Sequence, residues 1–216
     1  MEGVPAEPEG HVGWDAPELL AETAIDTLKV LGGKSGDPLH LVLDDTQKRK
    51  RGKLMAAVSK IFLHAEKVYA HGHTIVACAI VYRNVVIPYA VRLWATSEFC
   101  QQTQKKSYDG DPMAFRKLTQ LAAEIITNCP LGKVTVLFDS YYLCPNVTHA
   151  CEAQQYRWAG VAKKNRHFSP AGRDRDKRRL ASYGANTLKR LGKWVTHEGK
   201  KYRLAERVGR LSKLGR

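Results

Sequence analysis

The chain has 216 residues, 44% hydrophobic and 26% charged, which excludes a disordered or fibrous protein and leaves one domain able to bury roughly 70 per cent of its unfolded surface. Its 35 Lys and Arg against 21 Asp and Glu give a net charge of +14, so a polyanionic partner, nucleic acid first, is expected. Five cysteines that never fall as CxxC, an acidic and Pro/Gly-rich opening MEGVPAEPEG, and the lack of any run near the ~18 apolar residues of a membrane span argue against a zinc or disulfide framework, a secretory leader and a membrane protein. A reduced, cytoplasmic protein is the resulting expectation.

The first predicted element is a helix in DAPELLAETAIDTLKVLGG, with Asp15 as N-cap, Pro17 in the first turn, Glu18 three residues after the cap, and Gly32 and Gly33 to stop it. A five-residue apolar strand follows, Leu39 to Leu43, and ends in Asp44 and Asp45. GKLMAAVSKIFLHAEKVYA has helical spacing in places and reads as a partly ordered excursion. HTIVACAIVYRNVVIPYAVRLWA holds two β-branched runs joined by Arg83 and Asn84, the pattern of an antiparallel hairpin.

DPMAFRKLTQLAAEIITNCPLG predicts a helix capped by Asp111, with Pro112 first and an apolar face of Phe115, Leu118, Leu121, Ala122, Ile125 and Ile126. KVTVLFDSYY is a second buried strand ending in Asp139. NVTHACEAQQ reads as a short helix and YRWAGVAKKNRHF as a strand ending in a basic cluster. GRDRDKRRLASYGANTLKRLG reads as irregular and highly charged, and KWVTHEGKKYRLAERVGRLSKLG as a hairpin turning at Glu198 and Gly199. Strand, hairpin, helix and strand in this order build an α/β mixed sheet with flanking helices.

Asp44 and Asp139 share a context, each ending an apolar strand. On neighbouring strands their carboxylates converge at the sheet edge, where α/β sheets place ligands. Hard oxygen donors there suit Mg2+ or Mn2+, two of which can activate and stabilise the oxygens of a phosphodiester displacement. Singly, each Asp reads more simply as a turn residue. Together, on a chain of +14, they favour a metal site. Cys144, His149 and Cys151 form the nearest alternative grouping and read as ordinary interior or loop residues.

LVLDDT, TIVACAIVYRNVVIPYAVRLW, VTVLFDSYY and YRWAGVAKKNRHF, in this order and at these separations, resemble the catalytic core of the DDE transposases of bacterial insertion sequences over roughly Leu39 to Arg216. The resemblance implies a ribonuclease H-like fold, a two-metal Mg2+ or Mn2+ site, and endonucleolytic cutting and joining of double-stranded DNA in transposition. It divides the chain into an N-terminal tail and helix (1–38) and the core (39–216), and is compatible with a homodimer. It carries the first acid onto Asp44 with Asp45 as a second metal ligand, and the second acid onto Asp139. The third, a helical Glu, finds only Glu198 in a hairpin turn and Glu206 in a predicted strand. The expectation is a core incomplete at its C-terminus, or a catalytically dead remnant that still binds DNA, with Glu206 exposed and away from the aspartates.

Two basic clusters flank the proposed acids: Lys48, Arg49, Lys50 and Arg51 after the first, and Lys163, Lys164 and Arg166 beyond the second. They are the expected DNA-binding residues, acting on phosphates without reading sequence. RDRDKRR, with its interleaved acids, reads equally well as a solvated loop. Trp158 and Tyr156 read as core, and Tyr141 and Tyr142 either stack on a base or cover the sheet edge.

Overall fold

A computed structural model of the chain describes residues 16–34, 36–52, 55–105, 112–212 and 214. Helix α1 (Ala16–Val30) has Pro17 and Glu18 in its first turn, while the expected cap Asp15 lies outside the described residues. It ends as expected: Gly32 takes φ +74°, its N–H donates to the Lys29 carbonyl, and the Gly33 N–H donates to Leu28. That pair of bonds satisfies the last carbonyls of the helix, and the left-handed conformation it needs favours glycine.

The strand that follows, β1 (Leu39–Arg49), corrects the five-residue expectation. It runs on through Asp44, Asp45 and the first cations because β3 (Val68–Tyr82) pairs with it antiparallel along its whole length, from Leu39 opposite Tyr82 to Arg49 opposite Gly72. Ladder hydrogen bonds, not burial, hold its polar half as strand. The paired acids therefore sit within a strand, not at its end.

β3 also gives regular strand pairing to a stretch expected to be a partly ordered excursion with helical spacing in places. β2 (Ser59–Leu63) buries Ile61 and Leu63 in alternation and pairs with Val68–Gly72 of β3 across a turn in which Lys67 has φ +55°. β4 (Val85–Trp94) completes the hairpin expected at Arg83 and Asn84, with a bulge opposite Cys78 and Ala79.

A short helix, α2 (Ser97–Thr103), starts where the Thr96 hydroxyl accepts the Phe99 N–H. α3 (Leu118–Thr127) begins later than predicted, and Asp111 lies outside the described residues. The Gln120 side chain accepts the Lys117 N–H at 2.8 Å and Arg116 pairs with Glu124 at 2.7 Å, so the first turn is capped at Lys117 and Phe115 stays exposed. The expected face of Leu121, Ala122, Ile125 and Ile126 is buried.

β5 (Val134–Phe138) and α4 (Pro145–Ala153) follow as the sequence predicts, and β6 (Arg157–Gly160) stops well short of the basic cluster that the predicted strand included; β5 is parallel to both β1 and β6. The sheet order is β4-β3-β1-β5-β6, with β2 on the β3 extension. One face of this mixed sheet packs under α1, α3 and α4, with Leu41, Ile80, Val136, Ala122 and Val147 at its centre. α1 joins that core through Ala24 and Leu28.

Gly160 shows how tight the end of β5 is: a Cβ there would meet the Phe138 ring, with Cδ2 at 2.7 Å. Overpacking of this kind costs about 1–3 kcal/mol. Gly160→Ala is therefore expected to lower the Tm by several degrees in calorimetry.

Beyond β6 the chain forms a three-stranded sheet from β7 (His167–Ser169), β8 (Arg178–Arg179) and β11 (Arg210–Leu211), and a separate hairpin from β9 (Lys193–His197) and β10 (Lys200–Leu204). The hairpin turns at Glu198 and Gly199 as predicted, both at positive φ. The stretch read as irregular contains α5 (Leu180–Leu191). Its apolar positions Leu180, Tyr183, Leu188 and Leu191 fit the helical period, and Tyr183 packs on Phe168 with ring centroids 4.8 Å apart. No helix among the described residues is long and apolar enough to cross a membrane.

Candidate active site

β1 and β5 are parallel neighbours in register, Leu43 opposite Phe138, so the residues that follow each strand position come side by side at one edge. The pleat then separates the two adjacent acids. Leu39, Leu41 and Leu43 are buried and His40 and Val42 only half so, which puts Asp45 on the inward face and Asp44 on the other. Asp44 is exposed, and its Oδ1 accepts the N–H of Asp45 at 2.9 Å. Asp45 is half-buried opposite the fully buried Val76.

Asp139 is the first residue off β5. Its Oδ1 accepts the N–H groups of Tyr141 (2.8 Å) and Tyr142 (3.3 Å), a side-chain-to-backbone turn of the kind Asp favours. Asp45 and Asp139 thereby line one cavity of about 460 Å3, walled by Gln47, Phe62, His64, Trp94 and Tyr141 among others. The β2–β3 turn is tied over it, because the His64 N–H donates to Gln47 Oε1 at 3.1 Å and Arg49 pairs with Glu66 at 3.2 Å.

Burial pushes the Asp45 carboxyl above the usual range. A hydrogen bond from the Tyr142 hydroxyl pulls it back in part, the negative Asp44 and Asp139 raise it further, and His64 lowers it. Among the described residues neither Asp45 nor Asp139 has a cationic side chain in ion-pair contact. Two hard carboxylates drawn together without a counter-charge fit a divalent cation such as Mg2+, which takes one or two protein carboxylates and fills its octahedron with water and phosphate oxygens.

The remaining acids lie elsewhere. Glu198 is exposed in the β9–β10 turn, and Glu206 is exposed two residues past β10. Among the described residues no group of three His, Cys, Asp or Glu is arranged to hold a metal ion.

The expected DNA contacts divide. Lys48 and Arg49 belong to β1, with Lys48 exposed and Arg49 bound to Glu66; Lys50 is half-buried and Arg51 exposed. Lys163 and Lys164 are exposed in the loop after β6, not on the strand as expected. Arg166 is half-buried, its guanidinium donating to the carbonyls of Leu143 and Ser212, so it ties this loop to the core. The densest positive surface lies further on: residues 173–210 hold thirteen Lys or Arg against four Asp or Glu. The hairpin within it is exposed along both strands, with Trp194 68% exposed beneath the Arg203 guanidinium.

The cavity walls from β2 escaped the sequence reading, which placed the basic hairpin but gave it no part in DNA binding. Only the hairpin had a local signal, its run of cations between aromatics.

A mixed sheet in this strand order, with helices on the core face and two acids at the edge of its parallel pair, defines a ribonuclease H-like nuclease core. The chain belongs to the DDE superfamily endonucleases, whose sequence model matches residues 10–210. This superfamily comprises transposase-type nucleases that act on DNA and generally use divalent metal ions. A search of curated proteins returned no match.

Proposed function

We propose that the protein is a transposase that cuts and joins double-stranded DNA at element ends, with Asp45 and Asp139 as the metal-binding acids and Mg2+ or Mn2+ as the cofactor. The observation that carries this reading is the convergence of these two carboxylates in one cavity with, among the described residues, no cationic side chain in ion-pair contact with either. Asp44, the adjacent carboxylate, faces away from the cavity wall and serves the strand by accepting its neighbour's N–H.

When bound there, the cation would supply Lewis-acid polarisation of a phosphodiester and neutralise its developing charge. The chain's own groups do the rest. Asp45 and Asp139 hold their carboxylates on one wall. Tyr141, 45% exposed, and the rings of Phe62 and Trp94 offer flat apolar surfaces for sugars or unpaired bases. The hairpin β9–β10 and the last turn of α5, with Lys189 and Arg190, provide exposed cations for the duplex backbone, with Lys163 and Lys164 as a second contact.

The test is nicking of a supercoiled plasmid in Mg2+ or Mn2+ against an EDTA control. Cleavage that requires the metal supports the reading, and cleavage unaffected by EDTA sinks it.

A second reading, a DNA-binding protein without cleavage, is favoured by one observation: among the described residues only two acids reach the cavity. It expects salt-dependent duplex binding that survives Asp139→Ala, with no nicking in either metal.

A further inference from the structure

Tyr142 touches both acids. Its side chain is fully buried, its backbone N–H donates to Asp139 Oδ1 at 3.3 Å, and its phenolic hydroxyl donates to Asp45 Oδ1 at 3.2 Å. The ring between these two ends is rigid and cannot slide, because it belongs to the core under the sheet and meets the Tyr141 ring edge-on at 5.3 Å.

Each carboxylate therefore has one oxygen occupied by the same residue. Asp45 Oδ1 takes the hydroxyl, Asp139 Oδ1 takes the backbone N–H groups of Tyr141 and Tyr142, and among the described residues Oδ2 of each makes no hydrogen bond or ion pair. A phenol has one proton to give, so the Tyr142 bond selects one oxygen of Asp45.

We propose that Tyr142 is a positioning residue that sets the spacing and rotamers of Asp45 and Asp139, presenting one unengaged oxygen from each to a shared divalent cation. This rests on the reading of those two acids as metal ligands and goes beyond it by assigning the group that orients them. Such supporting bonds, when removed, typically cost 10- to 100-fold in metal affinity.

The deciding experiment is a titration of the protein with Mn2+ alone, free and bound ion being separated by electron paramagnetic resonance. Wild type, Tyr142→Phe, Tyr141→Phe and Asp45→Asn are compared, with the Tm of each recorded. Tyr142→Phe keeps the buried ring and loses only the hydroxyl. It is expected to weaken Mn2+ binding roughly 10-fold or more, while Tyr141→Phe binds as wild type does. In the Asp45→Asn background the Tyr142→Phe change is expected to have no further effect, because the bond has no carboxylate left to orient.

Wild-type affinity in Tyr142→Phe overturns the inference while leaving the acids as ligands, provided Asp45→Asn has lost binding. Equal binding by wild type and Asp45→Asn overturns the ligand reading itself, and the inference with it. If Tyr142→Phe does not fold, wild-type protein carrying 13C at the tyrosine Cζ replaces it. Addition of Mg2+ is then expected to move the Tyr142 resonance, and an unmoved resonance at saturating Mg2+ overturns the proposal.

Discussion

Asp45→Asn is expected to abolish metal-dependent DNA cleavage, whereas Asp44→Asn stays within a few-fold of wild type. The two side chains leave β1 on opposite faces, and only Asp45 shares a cavity with Asp139. Loss of a charged metal ligand removes several kcal/mol of charge stabilisation, roughly 10^3-fold or more in rate. Asp139→Ala is expected to match it.

The same substitution carries a stability signature of opposite sign. The folded-state pKa of Asp45 is raised, chiefly by burial, so the folded protein holds that proton more tightly than the unfolded chain does. Its contribution is fully present below the unfolded carboxylate pKa and is lost as pH rises through the folded value. At neutral pH the ionised Asp45 thus weighs against the fold when no metal is bound. Asp45→Asn removes that charge and keeps an oxygen to accept the Tyr142 hydroxyl, so its Tm in EDTA is expected to equal or exceed that of wild type. A variant that is inactive yet no less stable marks a residue placed for chemistry. Cleavage lost in Asp44→Asn and retained in Asp45→Asn would reverse the assignment.

The second large effect is expected at the hairpin. Lys193, Lys200 and Lys201 are exposed, and no ion pair holds any of them among the described residues. Each phosphate contact removed lowers the slope of log K against log salt by about 0.9, so replacing all three by Ala lowers it by about 2.7 and weakens duplex binding on the order of 10^2-fold near 0.1 M salt. Arg203 is left in place because it bonds the carbonyls of Lys189 and Gly192 and joins the hairpin to α5. Lys163→Ala with Lys164→Ala is the comparison. A salt slope unchanged in the hairpin variant and reduced in the loop variant would move the DNA path to the β6 loop.

Local signals were enough for part of this protein. The apolar alternation that starts β1, the hairpin at Arg83 and Asn84, the buried stripe of α3, β5 with its terminal Asp139, and the Glu198–Gly199 turn are each written in a few neighbouring residues, because side-chain period and turn preference act over that range. The excess of cations that anticipates a nucleic-acid partner is equally independent of fold.

Tertiary structure decided the rest. β1 continues past Leu43 only because β3 offers an edge as far as Gly72, and residues 59–63 are strand because the other edge of β3 pairs them. These elements depend on partners distant in sequence, whose hydrogen bonds and contacts outweigh local propensity. The choice between the two aspartates has the same origin. The alternation of Leu39, Leu41 and Leu43 contains the parity that turns Asp45 inward, but that parity extends to Asp45 only while the strand does, and a neighbouring strand is what keeps it extended.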